Sequence, residues 1–294
     1  MSSPPSKAVL ITGCSSGIGR ATAERLAGRG WTVYATARRP ESIADLERAG
    51  CRTLALDVTE EDSMRAAVRA VEDAEGAVGV LVNNAGYSQG GPIEQVPMEA
   101  VRRQFETNVF GAIRLAQLVL PRMRAQRWGK IVNVGSMGGR LTFPGGGLYH
   151  ATKYSLEAIS DALRFEVRGF GVDAILIEPG LIVTDFAQAA VATTANLEQR
   201  DDDDGANADR TDSVYEQFNA KVAALTTGVY EGPTRHLGGG PEVVARAIER
   251  AIKRRRAPSR VLVTPSARLT VLQRRLMPDR AWDAAMRLQF PQPR

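Results

Sequence analysis

Residues 8–19 read Ala8-Val9-Leu10-Ile11-Thr12-Gly13-Cys14-Ser15-Ser16-Gly17-Ile18-Gly19. Positions 8–12 form a short, continuous apolar run, the pattern of a strand buried on both faces. Glycines and small residues follow, and from 20 to 27 apolar residues return at helical spacing. Strand, glycine turn and helix in succession open a β-α-β unit. Glycines let the backbone turn sharply and approach a bound group, and the start of a helix favours an anion such as a pyrophosphate. The spacing is G-x-x-x-G-x-G rather than G-x-G-x-x-G, the usual dinucleotide fingerprint. Any turn can use glycines; the strand-turn-helix setting is what favours a phosphate cradle.

Working outward, further apolar strand patterns stand at 32–36, 52–57, 78–82, 130–134 and 172–177. Helical patterns separate them at 60–74, where Thr59 is a candidate N-cap, and at 99–126 and 149–170. This alternation predicts an α/β fold with a doubly wound, Rossmann-type parallel sheet. The rhythm breaks at 186–240, which mixes an alanine-rich piece, the acidic run 201–204 and a glycine- and proline-bearing stretch. Adjacent carboxylates repel one another, so 201–208 reads as mobile, and such a strip does not converge on a metal ion. A helix at 241–252, a last strand at 260–264 and one or two amphipathic helices at 266–288 complete the chain. No repeat or linker divides it, so 1–294 reads as a single domain.

Bulk properties narrow the function. With 44% hydrophobic and 24% charged residues, the 294-residue chain has the composition of a soluble globular protein. Cys14 and Cys51 make no disulfide framework, no apolar run approaches the ~20 residues of a membrane helix, and 1–6 reads as a frayed terminus; the expectation is cytoplasmic. The net charge of +5 comes from late basic clusters, 253–256 and Arg268, Arg274, Arg275, Arg280 and Arg287. No nucleic-acid-binding motif accompanies them, so they read as solvated helix faces and no nucleic-acid partner is expected. A weak association of the amphipathic tail with anionic membranes is the alternative. With only His150 and His236, a zinc site or a catalytic triad has little to draw on, and no metal is expected. The stretch Gly135-Ser136-Met137-Gly138 lacks the G-x-S-x-G spacing of a hydrolase.

Tyr149-His150-Ala151-Thr152-Lys153 places a phenol and an ammonium four residues apart, on one helix face. A nearby cation favours phenolate over phenol, which suits a group exchanging a proton near neutral pH. His150 reads as a surface residue of that helix. Ser136, thirteen residues earlier and after a strand, could hold a substrate oxygen beside the phenol, although a serine there is also a common turn residue.

Together these pieces resemble the short-chain dehydrogenase/reductase family over most of 7–184, and within it the group containing 17β-hydroxysteroid and retinol dehydrogenases. Residues 12–19 fit its TGxxxGxG loop, Asn83-Asn84-Ala85-Gly86 its NNAG motif and Asp57 its adenine-binding acid. Asn108, Ser136, Tyr149 and Lys153 fit its catalytic tetrad, and residues 179–184 its PGxxxT segment. The resemblance implies a seven-stranded sheet flanked by helices, with 7–184 as the cofactor-binding and catalytic core. A partly mobile substrate lid at 185–240 and a C-terminal extension at 241–294 would complete it. It implies hydride transfer on the 4-pro-S side of a nicotinamide, between an alcohol and a ketone or aldehyde. Tyr149 would exchange the proton and Ser136 polarise the oxygen. Lys153 would bind the ribose and lower the Tyr149 pKa, and Asn108 would position a relay water. The implied cofactor contacts are Gly13, Ser15, Ser16, Gly17, Ile18, Gly19, Arg38, Asp57, Val58, Asn83, Ala85 and Gly86, then Tyr149, Lys153, Pro179, Gly180, Ile182 and Thr184.

The end of the second strand bears on the cofactor. NAD-binding relatives carry a carboxylate there for the ribose 2′-hydroxyl. Here Ala37 holds that place and Arg38 and Arg39 follow, so no acid repels a 2′-phosphate and a guanidinium can grip it. The expected cofactor is NADP(H) in preference to NAD(H). The group resembled handles bulky apolar alcohols and ketones, which makes Met137, Phe143, Leu148 and Phe186, with Ser136, the candidate substrate contacts; core packing explains each of the four apolar ones equally well. Relatives often form homo-oligomers. A catalytically silent NADP(H)-binding scaffold or regulator is the competing class, separable by NADPH consumption against a panel of ketones.

Overall fold

The opening apolar run forms β1 (Val9–Ile11) at the middle of a parallel sheet in a computed structural model, which describes residues 5–201, 208–231, 236–290 and 292. The other strands are β2 (Val33–Ala37), β3 (Arg52–Ala55), β4 (Val80–Asn83), β5 (Gly129–Val134), β6 (Val172–Glu178) and β7 (Arg260–Leu262). Their order is β3-β2-β1-β4-β5-β6-β7, every pair parallel. The order reverses between β1 and β4, and the crevice at their carboxyl ends is where such sheets bind ligands.

Successive strand residues point to opposite faces, so the continuous apolar runs feed two cores. Val9, Ile11, Val80, Val82 and Val132 pack with Leu26 of α1 (Gly17–Ala27) and with Val244 and Ile248 of α8 (Pro241–Lys253). Leu10, Leu81 and Ile131 pack with Val68 and Val71 of α2 (Glu61–Glu75) and with Leu115, Val119 and Met123 of α4 (Gly111–Ala125). Each such side chain contributes about 1.5–3 kcal/mol on burial.

Several local expectations change. Thr59 does not cap α2: its amide and hydroxyl both donate to Asp57 Oδ1, at 2.9 and 2.8 Å, and Glu60 takes the N-cap position. The single helix expected at 99–126 is α3 (Met98–Phe105), a π turn (Glu106–Phe110) and α4. A 3-10 segment, Pro40–Ala49, was not foreseen. Residues 147–168 form α5 (Gly147–Arg168), which carries Tyr149 and Lys153.

The 186–240 stretch holds two long helices, α6 (Phe186–Asp201) and α7 (Ala208–Glu231); the acidic strip between them, read as mobile, lies outside the described residues. Thr193 fastens α6 to the segment after β4, accepting from Gly90 N at 2.9 Å and donating to Ser88 O at 3.1 Å. Tyr215 and Asn219 tie α7 to Glu94 and Gln95, at 2.7 and 3.2 Å. Residues 266–288 resolve into α9 (Pro265–Leu276), capped by Thr264, and α10 (Asp279–Gln289). Among the described residues no helix is long and apolar enough to cross a membrane.

Candidate active site

Every element that carries a candidate group ends at the carboxyl edge of the sheet. The glycine loop leaves β1 with Gly13 and Gly17 at φ of +72° and +57°, where an L side chain is strained. Contact sets the same limit. A Cβ on Gly13 would stand 2.9 Å from Ala85 Cα, and one on Gly19 only 2.2 Å from Gly13 O. Buried Thr12 accepts hydrogen bonds from the amides of Asn84 and Ala85, at 3.0 and 2.9 Å. Asn84 returns two, to the carbonyls of Thr12 and Gly13, at 2.9 and 3.0 Å. The loop is thereby locked in shape before any ligand arrives, with Ser15 and Ser16 exposed at the start of α1. Ile18 lies partly buried against the core beneath. Asn84 had not been singled out for this, whereas the Asn83 side chain is spent on Asn133 Oδ1 (2.9 Å) and Ala112 O (3.1 Å).

The four candidate catalytic groups converge. Asn108 sits on the π turn and is buried; its amide donates to Tyr87 O (2.8 Å) and Thr152 Oγ1 (3.1 Å) and accepts from Tyr87 N (3.0 Å). π turns inside helices recur at functional sites because they displace a backbone stretch sideways. Thr152, which the sequence reading passed over, donates in turn to Tyr149 O at 2.7 Å. Lys153 Nζ donates to Val134 O at 2.9 Å and stands 5.6 Å from the Tyr149 ring centroid. Burial alone pulls its ammonium down to about 8. Gly86 closes the group: a Cβ there would lie 3.1 Å from Asn108 Oδ1 and 3.8 Å from Lys153 Nζ. Ser136 follows β5 and accepts from Gly138 N at 3.0 Å, which leaves its hydroxyl hydrogen available to an oxygen beside the phenol.

His150 corrects the expectation of a surface residue. It is buried, with Nδ1 2.9 Å from Gly138 O and Nε2 accepting from Phe143 N at 3.2 Å. That pairing requires the neutral imidazole with its hydrogen on Nδ1. Desolvation lowers its pKa, the bond to Gly138 opposing. The ring thus ties α5 to the loop that carries Ser136. An apolar-looking position next to a tyrosine gives no sequence signal of this; only the packed loop does.

The remaining candidates ring this centre. Ala37 closes β2, buried, with Arg38 and Arg39 exposed beyond it. Asp57 lies at the end of β3's run and holds Thr59, while the Val58 side chain is buried in the core. Pro179 is buried, and Gly180 has no room for a Cβ, which would meet Thr264 Oγ1 at 2.4 Å. Ile182 bridges to Gly239, and Thr184 lies across the loop from Gly17, its methyl 3.4 Å from where a Cβ would stand. Of the candidate substrate contacts, Phe186 faces the centre, its ring centroid 5.4 Å from that of Tyr149. Met137 and Phe143 pack against Leu141, Val271 and Trp282, and Leu148 packs against Val96 and Ala100.

Buried charge underlies the floor of the site. Glu178, at the end of β6, is fully buried beside Glu157, and desolvation with that neighbour raises its carboxyl to about 8. Arg140 lies 3.3 Å from it, and Arg260 binds Glu157 at 2.9 Å. One proton held between the two carboxyls satisfies oxygens that otherwise lack partners.

Comparison with known proteins agrees with this arrangement. Residues 7–195 match the family model described as short chain dehydrogenase. The chain is 34% identical over 284 residues to 3-ketodihydrosphingosine reductase of Bacteroides thetaiotaomicron, covering 96% of this chain and 97% of that protein. It is 32% identical over 283 residues to an NADPH-dependent 3-dehydrocapnine reductase of Ornithobacterium rhinotracheale, covering 93% and 94%. A short chain dehydrogenase/reductase of Burkholderia phymatum solved in complex with NAD superposes with a TM-score of 0.74, at 27% identity and coverage of 92% and 94%.

Proposed function

The chain belongs to the short-chain dehydrogenases, a family of oxidoreductases, and we propose that it interconverts an apolar alcohol and the corresponding ketone or aldehyde with NADP(H), using Tyr149 as acid and base. The observation that carries this is the convergence of Asn108, Ser136, Tyr149 and Lys153 on one edge of a preformed glycine cradle. The cradle fits a dinucleotide: side chains are excluded where the backbone must come close, and the α1 N-terminus favours its pyrophosphate. When bound, the nicotinamide supplies or accepts the hydride. Ser136 donates a hydrogen bond to the substrate oxygen and Tyr149 gives or takes its proton. Lys153, charged below pH ~8, stabilises the phenolate form and binds the ribose; Asn108 holds the water that returns the proton.

Residues 7–184 supply these groups; α6 and α7, within 185–240, form the lid, and 241–294 closes the sheet and adds its helices. Ala37 and exposed Arg38 favour the 2′-phosphate of NADP(H), in line with the NADPH-dependent relative. An apolar substrate is supported by Phe186 against Tyr149 and by exposed Ile93 over Gly147. A relative named for reducing 3-ketodihydrosphingosine points to the same class. The test is NADPH oxidation with long-chain ketones, steroids, retinoids and small keto compounds. Turnover of the long-chain or polycyclic ketones well above the small ones is expected. Activity confined to small polar ketones would refute the apolar pocket, and none with any carbonyl would refute the reaction.

A further inference from the structure

Helix α9 turns Val271 inward against Leu141 and Trp282 and leaves Leu269, Leu272 and Leu276 exposed on its outer face. At spacings of three and four these leucines form one row, ending at Leu276, which is 73% exposed. Arg268 and Arg275, both exposed, run along one edge of the row, and no carboxylate occurs from Pro265 to Leu276. The same edge opens onto a cleft of about 270 Å³ lined by Arg140, Tyr154, Val271, Arg274 and Arg275. Arg274 is paired with Asp279 at 2.6 Å and Arg140 with Glu178 at 3.3 Å, which leaves Arg275 facing solvent.

We infer that the outer face of α9 docks on the surface of an anionic lipid bilayer, its leucines entering the acyl boundary and its arginines meeting lipid phosphates. A leucine row in water favours an apolar partner, and a basic edge with no acid beside it favours an anionic one. A bilayer of acidic lipids offers both at adjacent depths. A second copy docking through the same row would bring these arginine edges together with no carboxylate of α9 to offset them. A soluble acidic peptide satisfies the arginines but must supply its own apolar face. The inner side of α9 packs near Met137, next to Ser136, so docking places the bilayer behind the catalytic loop. This inference goes beyond the reaction proposed above and is read by binding rather than turnover.

The experiment is co-sedimentation of the full chain with vesicles of phosphatidylcholine alone and with about one quarter phosphatidylglycerol. The protein should sediment with the mixed vesicles only, and added salt should release it. Leu272→Ser/Leu276→Ser and Arg268→Gln/Arg275→Gln should each weaken partitioning at least ~tenfold. Melting temperatures should hold, because all four side chains are exposed. The inference is overturned if the native protein ignores the mixed vesicles, or if both variants bind as it does. It is equally overturned if the arginines bind inorganic phosphate or an acidic peptide without vesicle binding, or if the leucines support only a dimer.

Discussion

The carboxyl edge of the sheet and the helical layer laid over it are built on different principles. At the sheet edge, polar groups are bound to one another: Thr12 to Asn84 and Ala85, Asn108 to Tyr87 and Thr152, Lys153 to Val134. Glycines there are fixed by contact distances that admit no Cβ. The layer of α6, α7, α9 and α10 touches the core through few polar bonds and leaves Leu237, Leu269, Leu272, Leu276 and Leu288 exposed. The first region is preorganised for one chemistry, and the second is free to differ in what it admits or rests upon.

Changes at the edge should therefore alter turnover or cofactor choice, and changes in the layer should alter substrate affinity alone. The largest effect is expected from Tyr149→Phe, which removes the exchangeable proton at little cost in volume. Its kcat should fall at least ~100-fold while NADPH binding, followed by fluorescence titration, persists. Near-native kcat would take Tyr149 out of the reaction.

Next in size is Ala37→Asp, which sets a carboxylate where the 2′-phosphate is expected. The ratio of kcat/KM with NADPH to that with NADH should be at least ~10 in the native protein and should shrink or reverse in Ala37→Asp and Arg38→Ala. A native ratio near one would remove the preference.

Lys153→Met should separate stability from function. The folded-state pKa of Lys153 is depressed from 10.5 to about 8. Below that pH both folded and unfolded chains carry the charge, and the cost of burying it is fully present. Between about 8 and 10.5 the folded chain gives up its proton first, so native stability rises with pH. Lys153→Met removes the penalty but strands Val134 O, so a net gain of about 1–2 kcal/mol near neutral pH is expected, fading as pH rises. Denaturant unfolding of the cofactor-free protein at several pH values measures it. A destabilised variant would show that the hydrogen bond outweighs the buried charge.

The smallest effect is expected in the layer. Thr193→Val breaks the fastening of α6 to Ser88 and Gly90 and should cost about 0.5–1.5 kcal/mol, seen as a severalfold rise in KM with kcat and cofactor affinity unchanged. A matching fall in kcat would mean that α6 shapes the catalytic geometry as well.

The two regions also differ in how plainly the sequence announces them. Strands such as 80–83 and 129–134 are legible because burial on both faces leaves an unbroken apolar run. The glycine loop is legible because only glycine tolerates its φ values. Asn84, Thr152 and His150 are not, since each acts through a backbone group distant in sequence that only the fold brings near. The split of 99–126 was hidden because a π turn changes the hydrogen-bond register without changing composition. Helices α6 and α7 were obscured by alanine-rich and polar sequence with little contrast between faces.

That π turn also sets what the chain can tolerate in length. Glu106–Phe110 holds one residue more than an α turn, taken up as Asn108 binds both the amide and carbonyl of Tyr87. Deleting any one residue there would restore plain α geometry and rotate everything downstream by about 100° about the helix axis. Leu115, Val119 and Met123 would swing off the sheet together. The turn is a phase correction between two helices with different obligations, so this segment can exchange side chains far more readily than it can change its length.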